Sequence, residues 1–122
     1  MMDDSTGIAS NIMKVDFKAS VSWMQRKVHD LAMRKRWWDE DRNNGELIAL
    51  CHSELSECLE ALRKGNPDSK KTPGNCQAVE ELADCVIRIF DMCEARGWNL
   101  AKAIIEKHKY NQDRPEKHGK LF

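Results

Sequence analysis

Along most of the chain, apolar residues return every three or four positions, and no stretch alternates with a period of two. That spacing is the period of a helix burying one face, so it restricts the chain to helix packed on helix. Phe17, Val21, Met24, Val28 and Leu31 set out a first helix running to about Arg36. Leu47, Leu50, Cys51, Leu55, Cys58 and Leu62 set out a second, opened by Asn43 with Glu46 three residues on and stopped at Gly65. Val79, Leu82, Val86, Ile89, Phe90 and Cys93 mark a third, from about Asn75 to Arg96, with Gly97 as its stop. Asn99 caps a fourth that carries Leu100, Ala103, Ile104 and His108 to about Asn111, ahead of Pro115. The expected fold is all-α, a bundle of four main helices.

Between the second and third helices, Asn66 to Gly74 is a polar, basic loop by composition. Residues 1–16 lack a sustained period and are expected as a flexible N-terminal arm, leaving 17–122 as one helical domain. A chain of 122 residues suits a single core. Lys plus Arg and Asp plus Glu both number 20, so no global field favours a nucleic-acid polymer or an anionic membrane. The longest apolar run, Leu47 to Cys51, is far short of the roughly 20 residues of a membrane span, and the acidic start is unlike a secretory signal. A soluble, cytoplasmic protein is expected. The five cysteines form no Cys-x-x-Cys and do not pair with His29, His52, His108 or His118 in a zinc pattern, so they read as reduced core thiols.

Two acidic pairs interrupt this pattern. Glu54 falls between Cys51 and Cys58 on the apolar stripe of the second helix, with Glu57 one turn on. Glu81 and Asp84 repeat the device on the third helix, flanking Leu82 and Ala83 of the expected buried stripe. If the two helices are antiparallel, the pairs face each other. Clustered carboxylates repel and resist desolvation, so such a site calls for protons, cationic partners or a metal ion. An all-oxygen cage suits Mg²⁺, with Mn²⁺ as a substitute, and Mg²⁺ commonly brings a polyphosphate with it. Spacing alone also admits the plainer reading of solvated acids on two helix faces.

The stretch from Glu46 to Arg63, with Glu54 and Glu57 inside it, followed by Glu80-Glu81-Leu82-Ala83-Asp84, resembles the MazG-like nucleoside triphosphate pyrophosphohydrolases of the all-α NTP pyrophosphatase superfamily. The segment Lys107 to Lys120, with Tyr110, Asn111, Arg114, Pro115, His118 and Gly119, is similar to that family's tail. The resemblance spans about residues 20–122. It implies a MazG-type bundle assembled as a homo-oligomer, a dimer or tetramer, with sites completed by subunit packing. It implies that Glu54, Glu57, Glu81 and Asp84 hold Mg²⁺ and are catalytic. Water would attack the α-phosphorus of a (deoxy)nucleoside triphosphate, releasing monophosphate and pyrophosphate in nucleotide-pool house-cleaning. Lys107, Tyr110, Asn111 and Arg114 are the implied phosphate and sugar contacts. Many members of that family have an acid where this chain has Ser53, so Glu60 and Glu80 are further candidates to orient the water.

Trp37 and Trp38 end the first helix, placed either to cover the bundle's end or to stack on a base, and Trp98 is expected to pack over the turn after Gly97. His52 and His108 read as structural. Two other functions fit a helical bundle: a non-catalytic protein-interaction module, and a dUTP or dCTP diphosphatase sharing the metal chemistry. A di-iron carboxylate bundle needs Glu-x-x-His motifs that are absent here.

Overall fold

A computed structural model describes residues 7–122, with side chains for all of these except 8–10 and 118. The described chain is all helical: α1 (Ile8–Arg34), α2 (Asn44–Arg63), α3 (Gln77–Arg96) and α4 (Leu100–Gln112), then a short 3-10 turn at Glu116–Gly119. No strand forms among the described residues; Asp68 and Cys76 make one isolated bridge. No described helix is long and apolar enough to cross a membrane.

The caps foreseen from the sequence account for the helix ends. Asn43 Oδ1 accepts from Glu46 N at 2.8 Å, and Asn99 Oδ1 accepts from Lys102 N at 3.1 Å, each meeting one of the amides that a helix start leaves unpaired. Gly97 closes α3 at φ 70°, a left-handed conformation, and Trp98 N reaches back to Cys93 O at 2.9 Å. Gly65 follows α2 at φ 90°. At the end of α1 the left-handed residue is Arg36, φ 68°, with Trp37 N bonded to Ala32 O at 3.0 Å.

The start of α1 differs from expectation. The helix begins at Ile8, nine residues before Phe17, because no Gly or Pro interrupts the chain from there to Arg34. Ile12, Met13 and Val15 are all more than half exposed, so this first part of α1 is helical without being packed. Of the expected arm, residues 1–6 lie outside the described residues.

α3 is the centre of the bundle, packed against both α2 and α1, and α4 lies on α1. Three bonds set α2 antiparallel to α3: Arg96 Nε to Asn44 Oδ1 at 2.9 Å, Arg88 Nε to Glu54 Oε1 at 2.9 Å, and Ala78 N to Asn66 Oδ1 at 2.9 Å. Gln25 opposite Glu94, at 3.4 Å, and His29 opposite Asp91, at 2.7 Å, set α1 antiparallel to α3.

The core is made of small side chains. Cys51, Cys58, Cys85 and Cys93 are buried free thiols beside Ala61, Ala78 and Ala101, with Val21, Val28, Leu47 and Met92 as the larger members. The expected apolar stripes are corrected here. Leu55, Leu62, Val79, Leu82 and Val86 remain between 45% and 53% exposed, as does Leu59, which was not part of the expected stripe, and Ala83 is exposed too. They sit about a quarter-turn around each helix from the buried line through Glu54, Cys58 and Ala61 on α2 and Ala78 and Cys85 on α3. The antiparallel register sets Leu62 beside Val79, Leu59 beside Leu82 and Leu55 beside Val86. Together they form one apolar face that no described element covers.

Candidate metal centre

Carboxylates occupy the buried seam between α2 and α3. Glu54 is 7% exposed. Its neighbour Glu57, one turn on, stays exposed, while Glu81 and Asp84 on α3 are half-buried. Oxygens of Glu54, Glu57 and Glu81 come within 4.8 Å of one another, and so do those of Glu80, Glu81 and Asp84. The two triads share Glu81. All four carboxylates expected from the sequence are thus brought together, and Glu80 joins them. Its carboxylate is held by the buried Ser69, whose hydroxyl donates to Glu80 Oε2 at 2.6 Å. Ser69 in turn accepts from the amides of Lys71 and Thr72, so the loop between α2 and α3 is folded around one hydroxyl.

Burial pushes the Glu54 carboxyl up, but the Arg88 hydrogen bond and the neighbouring Glu57 and Glu81 carboxyls overcome it and hold the group below its ordinary value. Glu57 is raised by the neighbouring Glu54 carboxylate. Burial, and then the close Glu54 and Glu57 carboxylates, push Glu81 up to about 7. Asp84 is raised by burial and by the charges of Glu54 and Glu80. These are the signs of acids crowded closer than solvent can screen.

A divalent cation fits this donor set. The ligands are all hard oxygens, and Glu54 Oε2 and Glu81 Oε2 are buried without a hydrogen-bond partner. A carboxylate oxygen left bare at a buried seam is costly, and a cation between the helices removes that cost for both at once. No Cys or His enters either group. Ser53, at the position where an acid was expected, donates to Leu50 O at 2.7 Å and takes no part in the cluster.

A cavity of about 540 Å³ opens beside the carboxylates, between α1 and α3. Glu54 and Asp84 form its inner edge, Met24, Val28, Leu31, Trp37 and Ile87 its apolar wall, and Lys27, Lys35, Arg42 and Arg88 its basic part. An apolar wall next to cations and a cation-binding edge suits an anionic ligand with a flat or apolar end. Behind it lies a buried hub. Asp91 accepts from His29 Nδ1 at 2.7 Å and from Trp38 Nε1 at 3.0 Å, with Arg42 Nη1 at 4.0 Å. The Arg42 guanidinium lies 5.0 Å from the Trp38 ring and 6.0 Å from the Trp37 ring. The two tryptophans therefore part company: Trp38 ties the segment after α1 to α3, whereas Trp37 is half exposed and lines the cavity.

The C-terminal residues expected to contact substrate do not reach this cavity within one chain. Lys107 and Arg114 gather on the Tyr110 ring, at 4.6 Å and 5.5 Å from its centroid. Lys107, Tyr110 and Asn111 are exposed on α4, and Arg114 just beyond it is half-buried. His52 and His108 are exposed as well. Sequence reasoning missed Lys27, Lys35, Arg42, Arg88 and Asp91. For Arg88 a signal was present, since it lies one turn beyond Asp84 on the same helix and opposite Glu54 once α2 and α3 are antiparallel.

The fold and the site together define an all-α bundle with a carboxylate cluster beside a mixed apolar and basic cavity. Compared with known protein families, curated proteins and solved structures, the chain matches none.

Proposed function

We propose that this chain is a MazG-like hydrolase that splits (deoxy)nucleoside triphosphates into monophosphate and pyrophosphate with the help of Mg²⁺. The observation that carries the reading is the pair of bare, buried carboxylate oxygens on Glu54 and Glu81, with Glu54 also bordering a cavity that is part apolar and part cationic. Glu54, Glu57, Glu81 and Asp84 would hold Mg²⁺ or Mn²⁺, which when bound supplies charge neutralisation on the polyphosphate and makes a nearby water more acidic. The chain's own residues do the rest. Lys27, Lys35 and Arg88 line the cavity where phosphate charge would accumulate, and the wall of Val28, Leu31, Trp37 and Ile87 excludes water from the nucleoside. In the reaction, a water oxygen bonds to the α-phosphorus, the bond from that phosphorus to the bridging oxygen breaks, and pyrophosphate leaves with the electron pair. The carboxylates around Glu81, Glu80 included, are the acceptors for the proton the water gives up.

A homo-oligomer belongs to the same reading. The described residues leave large apolar side chains open to solvent on two parts of the molecule. One is the unpacked start of α1, and the other is the bare face of Leu55, Leu59, Leu62, Val79, Leu82 and Val86. A second copy that covers this face also offers Lys107, Tyr110, Asn111 and Arg114 a route to a cage that they do not border in their own chain. The protein is expected in the cytoplasm, where nucleotide pools are. The geometry does not single out a base, and a dUTP or dCTP diphosphatase is the same chemistry on a narrower substrate.

The test is incubation with each (d)NTP, with and without Mg²⁺, and separation of the products. Monophosphate and pyrophosphate are expected only with Mg²⁺, with rates reduced by about a hundredfold or more in Glu57→Gln and Asp84→Asn. No turnover of any triphosphate by folded protein supplied with Mg²⁺ overturns the reading and leaves a non-catalytic helical module in its place.

A further inference from the structure

Arg88 lies on the wall that the carboxylate cluster shares with the cavity. It is one turn beyond Asp84 on α3, its Nε donates to Glu54 Oε1 at 2.9 Å, and its side chain, 26% exposed, borders the cavity. An arginine whose sole task is to neutralise a carboxylate usually engages it with two parallel N–H bonds. Here one nitrogen meets one oxygen. The two terminal nitrogens make no hydrogen bond to any described residue, and the guanidinium carbon lies 5.8 Å from the Trp37 ring, on the apolar wall. Glu54 Oε2, the oxygen that Arg88 does not engage, is the one left bare at the cluster.

The other cations of the cavity are placed differently. Arg42 is committed to Asp91 and the two indoles, with its side chain 9% exposed. Lys27 on α1 and Lys35 just after it line the cavity too, and neither pairs with an acid of the cluster. Among the described residues, Arg88 is the one cation bonded to a cluster carboxylate while also bordering the cavity.

We propose that Arg88 is the phosphate-binding residue of this site: its two terminal nitrogens take non-bridging oxygens of a polyphosphate bound beside the carboxylate cluster. The planar fork of a guanidinium matches two phosphate oxygens, and the bond to Glu54 keeps the fork from swinging away. Arg88 thereby couples the part of the ligand that the cage holds to the part that enters the cavity. The inference rests on the polyphosphate reading of the site and names the residue by which that ligand is held.

The probe is inorganic triphosphate, which removes base preference from the question. Calorimetry measures Mg²⁺ alone and then triphosphate in excess Mg²⁺, for the wild type, Arg88→Met and Arg88→Lys. Arg88→Met is expected to weaken triphosphate by about tenfold to a hundredfold, the usual cost of a lost charge-assisted pair, with no weakening of Mg²⁺ alone. Arg88→Lys keeps the charge without the fork and is expected to recover only part of the loss. If Arg88→Met does not fold, the several-fold loss expected in Arg88→Lys decides the matter alone. Triphosphate binding unchanged in the folded variants overturns the inference. So does an equal loss of Mg²⁺ alone, which would make Arg88 a support for Glu54 and nothing more. A wild type that binds neither Mg²⁺ nor triphosphate overturns the proposed function itself.

Discussion

Glu81 is the residue whose protonation reports most directly on the cluster. Its carboxyl is raised from an ordinary 4.5 to about 7, so between those values the folded chain holds a proton that the unfolded chain has released. Stability contributed by that proton is full below about pH 4.5 and is lost as pH rises toward 7. The metal-free protein is therefore expected to melt lower at pH 7 than at pH 5. Glu81→Gln, which carries no such proton, should flatten this slope, and millimolar Mg²⁺ should restore the wild type at pH 7 by replacing the proton with a cation. Melting temperatures at both pH values, with and without Mg²⁺, check this; a wild type that gains stability from pH 5 to 7 as steeply as Glu81→Gln contradicts it. The acids of the cluster were legible in the sequence because Glu54 stands where the apolar stripe requires burial. Asp91 was not, since its partners His29 and Trp38 come from sixty-two and fifty-three positions away, and only packing reveals them. Asp91→Asn keeps the size but weakens these bonds, and should cost about 1–3 kcal/mol in urea unfolding.

At the scale of the element, the helices were readable because their stop and start residues are local. Asn43 and Asn99 cap through bonds to amides three residues away, so nothing distant has to be known to place them. Asn43→Ala should cost about 1 kcal/mol, and Asn99→Ala a similar amount, each read by chemical denaturation. Gly97→Ala forces a Cβ into a left-handed conformation at φ 70°, and is expected to cost about 1 kcal/mol without any clash. What the pattern could not give was the face each helix buries. On α2 and α3 the leucines and valines follow the same three-and-four spacing as the buried cysteines, a quarter-turn away, and periodicity does not say which of two adjoining stripes meets a neighbour in the same chain. The start of α1 misled for a related reason: Ile12, Met13 and Val15 lie on a helix that packs against nothing described, so there was no stripe to find.

For the whole molecule, that bare face is the feature with consequences. Leu59 and Leu82 lie side by side at its middle, and a charge there is tolerated by a monomer already exposing them but not by a buried contact. Leu59→Glu is expected to lower the molecular mass seen by light scattering to that of one chain, leaving helix content unchanged by circular dichroism. A wild type that is already a single chain would contradict the assembly. The helical class could be foreseen from the period, whereas the cavity could not: its lining joins residues of α1, the segment after it, α2 and α3, which only packing brings together.

The central claim is that Glu54, Glu57, Glu81 and Asp84 form a cage for a divalent cation, and Mn²⁺ titration followed by electron paramagnetic resonance tests it most directly. Saturable binding at fixed stoichiometry is expected in the wild type, competed by Mg²⁺, and weakened by about tenfold to a hundredfold in Glu54→Gln and Glu81→Gln, as expected when a buried ligand oxygen loses its charge. Binding that does not saturate, or that is undiminished in both variants, would show that the buried oxygens between α2 and α3 hold no metal.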